Sequence, residues 1–341
     1  MRALKDLIRN AQALAILFLS VLAYAVTGKT PANGLQAMIR VHALTNGWLT
    51  NALTALFRLA RPSRAPDDFR DERDLFATLG PAATRDVVRG LHEEGYAVSP
   101  LRVPSEIVQR LCAYADATPG FPTDASGKTG DKRRYDRADR SIAKFHFAPD
   151  DLANQVDIQN LAADSGLLDI AQRFIGCLPV LDSIAMWWST AHLEKAADEI
   201  AQTFHIDYDR VRWLKVFIYL TDVTPASGAH VFVRHSHLRE ARRAELIGRG
   251  YVRLPDADIQ RVYRPDEIVD ICGPAGTVLF EDTSGFHKGK MPESKERLML
   301  EFQFSCNLFG ANYRPMHLSQ PVGARLAAAR RLVPAAYPMF T

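Results

Sequence analysis

Residues 202–220 read QTFHIDYDRVRWLKVFIYL. The second half alternates with a period of two. Trp213, Lys215, Phe217 and Tyr219 fall on one face, and Arg212, Leu214, Val216, Ile218 and Leu220 on the other, as in a β-strand. In the first half, His205 and Asp207 stand two apart, so an extended backbone projects both side chains to one point. Outward from this stretch, segments rich in β-branched and aromatic residues predict strands over 181–190, 211–220, 230–233, 268–272, 277–280 and 297–304. Turn chemistry separates them at Pro225-Ala226-Ser227-Gly228, Gly273-Pro274-Ala275-Gly276 and Met291-Pro292-Glu293-Ser294. Many short strands joined by such turns predict a mainly β protein, a sandwich or jelly roll, with flanking helices.

Upstream, 83–94 predicts a helix stopped at Gly95, 96–101 a short strand, and 105–117 a helix opened by Pro104-Ser105-Glu106. Residues 120–139 are polar and glycine-rich, the profile of a functional loop. Gly127-Lys128-Thr129 is not a phosphate-binding loop, because the glycine required five residues earlier is Pro122.

The 341 residues are 47% hydrophobic and 24% charged, and the net charge is +3. These are the proportions of an ordinary globular protein, and nothing in them calls for nucleic acid. Cys112, Cys177, Cys272 and Cys306 are too scattered for a zinc site or a disulfide framework. A linker rich in Pro, Arg and Asp divides residues 1–65, an apolar helical region, from a catalytic domain over 66–341.

Residues 11–26 are apolar apart from Gln12 and Ser20, and Arg2, Lys5 and Arg9 precede them. As a helix they rise about 24 Å, short of the ~30 Å hydrocarbon core. A second, more polar stretch over 35–59 is followed by Arg61 and Arg64. Three readings stand: a secretory signal ending near Ala23-Tyr24-Ala25, a hairpin at the cytoplasmic membrane face held by its basic ends, or helices packed on the catalytic domain or on a second subunit. The hairpin is the preferred expectation. Oligomeric state is left open.

Two further residues complete a constellation with His205 and Asp207. His287 follows the 277–280 strand, and Arg297 opens the next strand ten residues later. Two histidines and one carboxylate on one face leave an open face, the arrangement of Fe(II) oxygenases that admit a bidentate oxoacid and O₂. A guanidinium is suited to the oxoacid's distal carboxylate. Lys215, on the same strand face as Phe217, is a candidate to assist an anion. Trp187 and Trp188 face opposite ways, so at most one lines the pocket. His235 and His237 also share a face, but no nearby carboxylate completes a site.

His205-Ile206-Asp207, the Ser227-Gly228 turn, Gly276-Thr277-Val278-Leu279-Phe280, His287 and Arg297 resemble the phytanoyl-CoA dioxygenase family, as does Leu91-His92-Glu93-Glu94-Gly95-Tyr96 upstream. The resemblance spans roughly 85–306. It implies a double-stranded β-helix, cupin-like core, and Fe(II), 2-oxoglutarate and O₂ as metal and co-substrates. Succinate and CO₂ would be released as a small or lipid-like substrate is hydroxylated. It makes His205, Asp207 and His287 metal ligands, Arg297 the 2-oxoglutarate anchor, and Phe217 the pocket aromatic. In related halogenases a small residue replaces the carboxylate, so Asp207 implies hydroxylation or a related oxidation. Arg234-His235-Ser236-His237 departs from the family's Pro-Gly-Ser-His turn, and 1–65 has no counterpart. The competing reading is a metal-binding barrel without redox chemistry, which has no use for Arg297.

Overall fold

The structure, a computed structural model, describes residues 2–242, 244–247, 253–319 and 321–341, and their side chains apart from those of residues 2–5 and 244. Arg2 and Lys5, invoked for a membrane contact, therefore lie outside the described side chains.

Ten strands are found among the described residues: β1 (Tyr96–Val98), β2 (Phe121–Thr123), β3 (Lys144–His146), β4 (Val180–Ser189), β5 (Trp213–Tyr219), β6 (His230–Val233), β7 (Ile268–Ile271), β8 (Val278–Glu281), β9 (His287–Gly289) and β10 (Arg297–Ser305). They form a seven-stranded sheet in the order β1-β8-β5-β10-β4-β3-β2 and a smaller one in the order β7-β6-β9. All the pairings are antiparallel. The expected jelly roll is present. The six strands predicted over 181–304 correspond to β4–β8 and β10, within one or two residues at each end, and the short strand predicted over 96–101 is β1, three residues long.

Alternation decides what lies between the sheets. Phe217 and Tyr219 of β5, Leu279 of β8, Met299 of β10 and Phe232 of β6 pack together inside the barrel. Their neighbours Val216, Ile218, Val278, Phe280, Leu298 and Leu300 face outward into a larger core under the helices. Val231 and Val233 of β6 contribute to a third cluster behind the small sheet. That outer core is covered by α4 (Pro81–Glu93), α5 (Ser105–Ala117), α6 (Pro149–Ala153), α7 (Val156–Ala162) and α8 (Ser165–Ile175), after the N-terminal α1 (Arg2–Thr27), α2 (Gly34–Thr45) and α3 (Trp48–Ala60). Asp164 caps α8, accepting the N–H groups of Gly166 at 2.9 Å and Leu167 at 3.2 Å.

Two expectations need correction. The region 120–139 is not all loop: β2 lies within it and pairs with β3, a strand the sequence reading did not find. The 35–59 stretch is not one continuous apolar limb. It is two helices, broken where Asn46 (φ 45°) and Gly47 (φ 81°) take the left-handed conformation. These helices pack on the protein. The His42 ring meets Tyr208 edge-on at 5.1 Å, and Phe57 lies 6.0 Å from Phe309. α1 buries Ala13, Leu17 and Val21, and Tyr24 accepts the Leu308 N–H at 2.9 Å. Its other side is uncovered: Leu7 is 66%, Phe18 65%, Leu19 62% and Val26 87% exposed.

Candidate active site

His205 and His287 face each other across a short antiparallel bridge. The His205 N–H donates to the His287 carbonyl at 2.9 Å, and the His287 N–H to the His205 carbonyl at 3.0 Å. The segment around His205 thus extends the small sheet beyond β9, which is why His205 and Asp207 share a face as the HxD spacing predicts. The Asp207 N–H is held by the Thr283 carbonyl at 3.0 Å.

One ligand atom from each of His205, Asp207 and His287 lies within 4.8 Å of the others. His205 Nε2 is 3.7 Å and His287 Nε2 3.5 Å from the Asp207 carboxylate. The second nitrogen of each ring fixes the tautomer. His205 Nδ1 lies 2.9 Å from the Thr203 carbonyl and His287 Nδ1 3.0 Å from the Gly285 carbonyl. A carbonyl only accepts, so each Nδ1 carries the proton and each Nε2 keeps a lone pair for a metal. Burial holds His205 well below the usual histidine range, helped by the charge of His287. Burial would also lower His287, but the adjacent Asp207 carboxylate outweighs it and raises that ring. Asp207 is held well below the usual carboxylate range, because Lys215 and His287 outweigh its burial. An ionised carboxylate beside two Nε2 lone pairs is a donor set that fits a divalent first-row metal.

A second cluster, His230, Glu281 and His287, is as compact. There Glu281 is already engaged by His230 Nε2 at 2.9 Å, and the His230 ring stacks on His287 at 5.6 Å. His287 can offer its one free nitrogen to one ion, and Asp207, unlike Glu281, lies within reach of Nε2 of both His205 and His287.

Arg297, Lys215 and Phe217 line the same cavity, of about 640 Å³. Arg297 is 3% exposed and has no carboxylate partner among the described residues. It donates to the Gly228 carbonyl through Nη1 and approaches Ser189 Oγ at 3.4 Å, and its Nε has no partner. Gly228 takes a left-handed φ of 78°, and a Cβ there would sit 2.5 Å from the Lys290 carbonyl. Burial lowers the guanidinium to about 10, so it remains a cation at neutral pH. A buried cation with no carboxylate partner among the described residues, beside three candidate metal ligands, suits an anionic co-substrate.

The charge of Lys215 is shared among protein carboxylates: Asp207 at 2.9 Å, Glu301 at 3.5 Å and Asp209 at 3.7 Å. Phe217 is buried, its ring 4.8 Å from His230. Trp187 lines the cavity and Trp188 packs into the outer core, as their opposite faces require. His237 is not in this cavity. Its Nε2 donates to the His92 carbonyl at 3.1 Å.

The sequence reading missed Lys144, on the unforeseen β3. Its Nζ stands 4.5 Å over the Trp187 ring in the cavity wall. Burial pushes it down to about 8, against the pull of Glu301. Only the alternation of Lys144-Phe145-His146 could have signalled it, and three residues are too few to read a period. The 120–139 segment reaches the cavity mouth through Thr123, Gly127 and Thr129.

A family model described as phytanoyl-CoA dioxygenase matches residues 91–297. Among solved structures, the epimerase SnoN in complex with Fe3+, alpha ketoglutarate and nogalamycin RO aligns with a TM-score of 0.50 at 15% identity, over 66% of this chain and 84% of that one. HygX from Streptomyces hygroscopicus, with nickel and 2-oxoglutarate bound, aligns at 0.46 and 19% identity over 71% and 93%. EctD from S. alaskensis, with 2-oxoglutarate and 5-hydroxyectoine, aligns at 0.45 and 18% identity over 72% and 82%. At such identities a likeness speaks for the fold alone. No functionally curated protein matches the sequence.

Proposed function

Because the chain belongs to the phytanoyl-CoA dioxygenase family, we propose that it is an Fe(II)- and 2-oxoglutarate-dependent dioxygenase that hydroxylates a small or lipid-like organic substrate. The observation that carries this reading is the buried Arg297 guanidinium, without a carboxylate partner among the described residues, sharing one cavity with His205, Asp207 and His287. A barrel without redox chemistry has no need of such a cation.

His205, Asp207 and His287 would hold the iron, and the bound iron would supply oxygen activation, coupled to conversion of 2-oxoglutarate to succinate and CO₂. Arg297 would fix the distal carboxylate of the oxoacid through its planar fork, with Ser189 beside it. Lys215 keeps Asp207 ionised and oriented. Phe217 and Trp187 supply apolar walls, and Lys144, with no ion pair among the described residues, places a cation where an anionic part of either ligand can meet it. The presence of Asp207 favours hydroxylation over halogenation.

The test is succinate release, dependent on iron and oxygen, across a panel of candidate substrates, with mass spectrometry of the products. Substrate-coupled succinate with a product one oxygen heavier supports hydroxylation. Coupled succinate with an isomerised or cyclised product would keep the oxygenase and overturn the hydroxylase.

The proposed location is the cytoplasm, with contact at the inner membrane face. Its support is α1, whose Leu7, Phe18, Leu19 and Val26 are left uncovered by the fold. The reading rests on α1 first, and α3 also leaves Trp48, Leu56 and Leu59 exposed. Full-length protein found wholly in the soluble fraction without detergent would refute it.

A further inference from the structure

We propose that the cleft between α2–α3 and the back of the His287 loop is a second binding site, one that takes a tetrahedral oxyanion of the phosphate class. The cleft encloses about 480 Å³ and is separate from the cavity of Arg297.

Three guanidinium groups converge there: Arg58 from α3, Arg212 at the entry to β5, and Arg242 after β6. One carboxylate among them is fully inside, Asp282, at 1% exposure. It pairs with Arg212 Nη1 at 2.7 Å. Arg242 is buried, and its donors go to neutral acceptors: the carbonyls of Ser236, His237 and Ser284, and His42 Nε2 at 2.8 Å. Arg58 makes no ion pair or side-chain hydrogen bond among the described residues. Its Nε is buried without a partner, as is Nε of Arg212.

Nearby histidines add no compensation and no further charge. Burial, then the charge of Arg242, lowers His42 to about 3. Burial also lowers His92 and His237. At the exposed rim, one further cation, Arg239, and one anion, Glu240, balance in number. The interior therefore carries three cations against one anion. Uncompensated buried charge is costly, and a guanidinium fork matches the edge of a tetrahedral oxyanion.

The cleft is built for this arrangement. A Cβ at Gly176 would lie 2.9 Å from Arg58 Cζ, so glycine lets the guanidinium lie flat on the backbone. The Phe174 ring supports Arg212 from 4.2 Å. Asp282 and Ser284 belong to the loop that delivers His287, and the Thr283 carbonyl of that loop holds the Asp207 N–H. An anion here would tie the N-terminal helices to the loop behind the candidate metal centre.

The probe is inorganic phosphate, titrated into the full-length protein in chloride buffer and followed by calorimetry and by the thermal midpoint. Saturable binding with a Kd at or below about 1 mM is expected. Arg58→Gln should weaken it by about tenfold or more. Arg239→Glu, on an exposed rim side chain that folding does not need, should weaken it several-fold. Arg297→Leu should leave it unchanged. Absence of saturable binding up to about 10 mM overturns the site. So does equal affinity in both Arg58→Gln and Arg239→Glu, or loss of binding in Arg297→Leu, which would move the phosphate to the other cavity.

Discussion

At the residue scale, the site rests on imidazole tautomers and one unpaired guanidinium. In His205 and His287 a backbone carbonyl takes the Nδ1 proton, so both rings present Nε2 lone pairs without reorganisation. If His205 is one of three iron ligands, as proposed, His205→Ala should lose most of the iron and nearly all succinate formation. Full iron occupancy by elemental analysis in that variant would remove His205 from the ligand set. Arg297→Leu would delete the proposed charged, bidentate contact to 2-oxoglutarate, worth roughly 1.5–3 kcal/mol. The Kd for 2-oxoglutarate should therefore rise about tenfold to a hundredfold, with iron content unchanged. An unaltered Kd by calorimetry would contradict the anchor. These residues were legible because their spacing carries geometry: two apart on an extended segment, then a histidine and an arginine bracketing a turn. Lys144 was not, because its place in the cavity depends on a distant pairing, β3 against β4, that local sequence does not encode.

At the element scale, legibility followed the strength of the local signal. The long strands β4, β5 and β10 each show several alternations and were found. β2 and β3, three residues each, exist because β4 offers an edge, and nothing in their own sequence demands a strand. Residues 35–59 read as one apolar stretch interrupted by Arg40, His42, Asn46 and Asn51, and it takes the fold to show that the chain breaks at Asn46-Gly47, both left-handed. The cap of α8 gives a test at this scale. Asp164 is 1% exposed and accepts N–H groups from Gly166, Leu167 and Phe76. Burial is the largest influence on its carboxyl and, with Asp74 nearby, pushes it up to about 7 despite those donors. In an unfolded chain it titrates near 4. Between about pH 4 and pH 7 the folded state thus binds more protons, and stability falls as pH rises through that window. Asp164→Ala should cost about 1–2 kcal/mol at pH 5 through loss of the cap. The gap between wild type and variant, measured by urea unfolding, should narrow from pH 5 to pH 8. A gap that widens would mean that the N–H donors, not burial, set the charge of Asp164.

At the scale of the whole molecule, the open matter is whether residues 1–65 are a separable appendage, as the linker composition suggests, or part of one cooperative unit. One apolar cluster runs without interruption from Ala13, Leu17 and Val21 of α1 through Met38, Val41 and Phe57 to the outward faces of β4, β5 and β10, and on to Phe309 and Phe340. Polar ties cross the same boundary: Arg61 Nε donates to the Leu178 carbonyl at 3.0 Å, and Thr30 Oγ1 accepts the Gly310 N–H at 2.9 Å. Phe57 sits at the junction, 8% exposed, 6.0 Å from both Tyr24 and Phe309. Replacing it with alanine removes a nearly buried aromatic ring and leaves a cavity, a change that typically costs about 3–5 kcal/mol in a packed core. If the N-terminal helices are an integral layer, Phe57→Ala should lower the midpoint of a single unfolding transition. Far-UV helicity and buried-tryptophan fluorescence should then shift together. Trp213, whose Nε1 donates to Thr283 Oγ1 at 2.7 Å behind the candidate metal centre, lies far along the chain from the substitution and would report the same loss. Two separated transitions, with the tryptophan signal keeping its wild-type midpoint while helicity melts early, would instead show that α1–α3 dock on a catalytic region that folds without them.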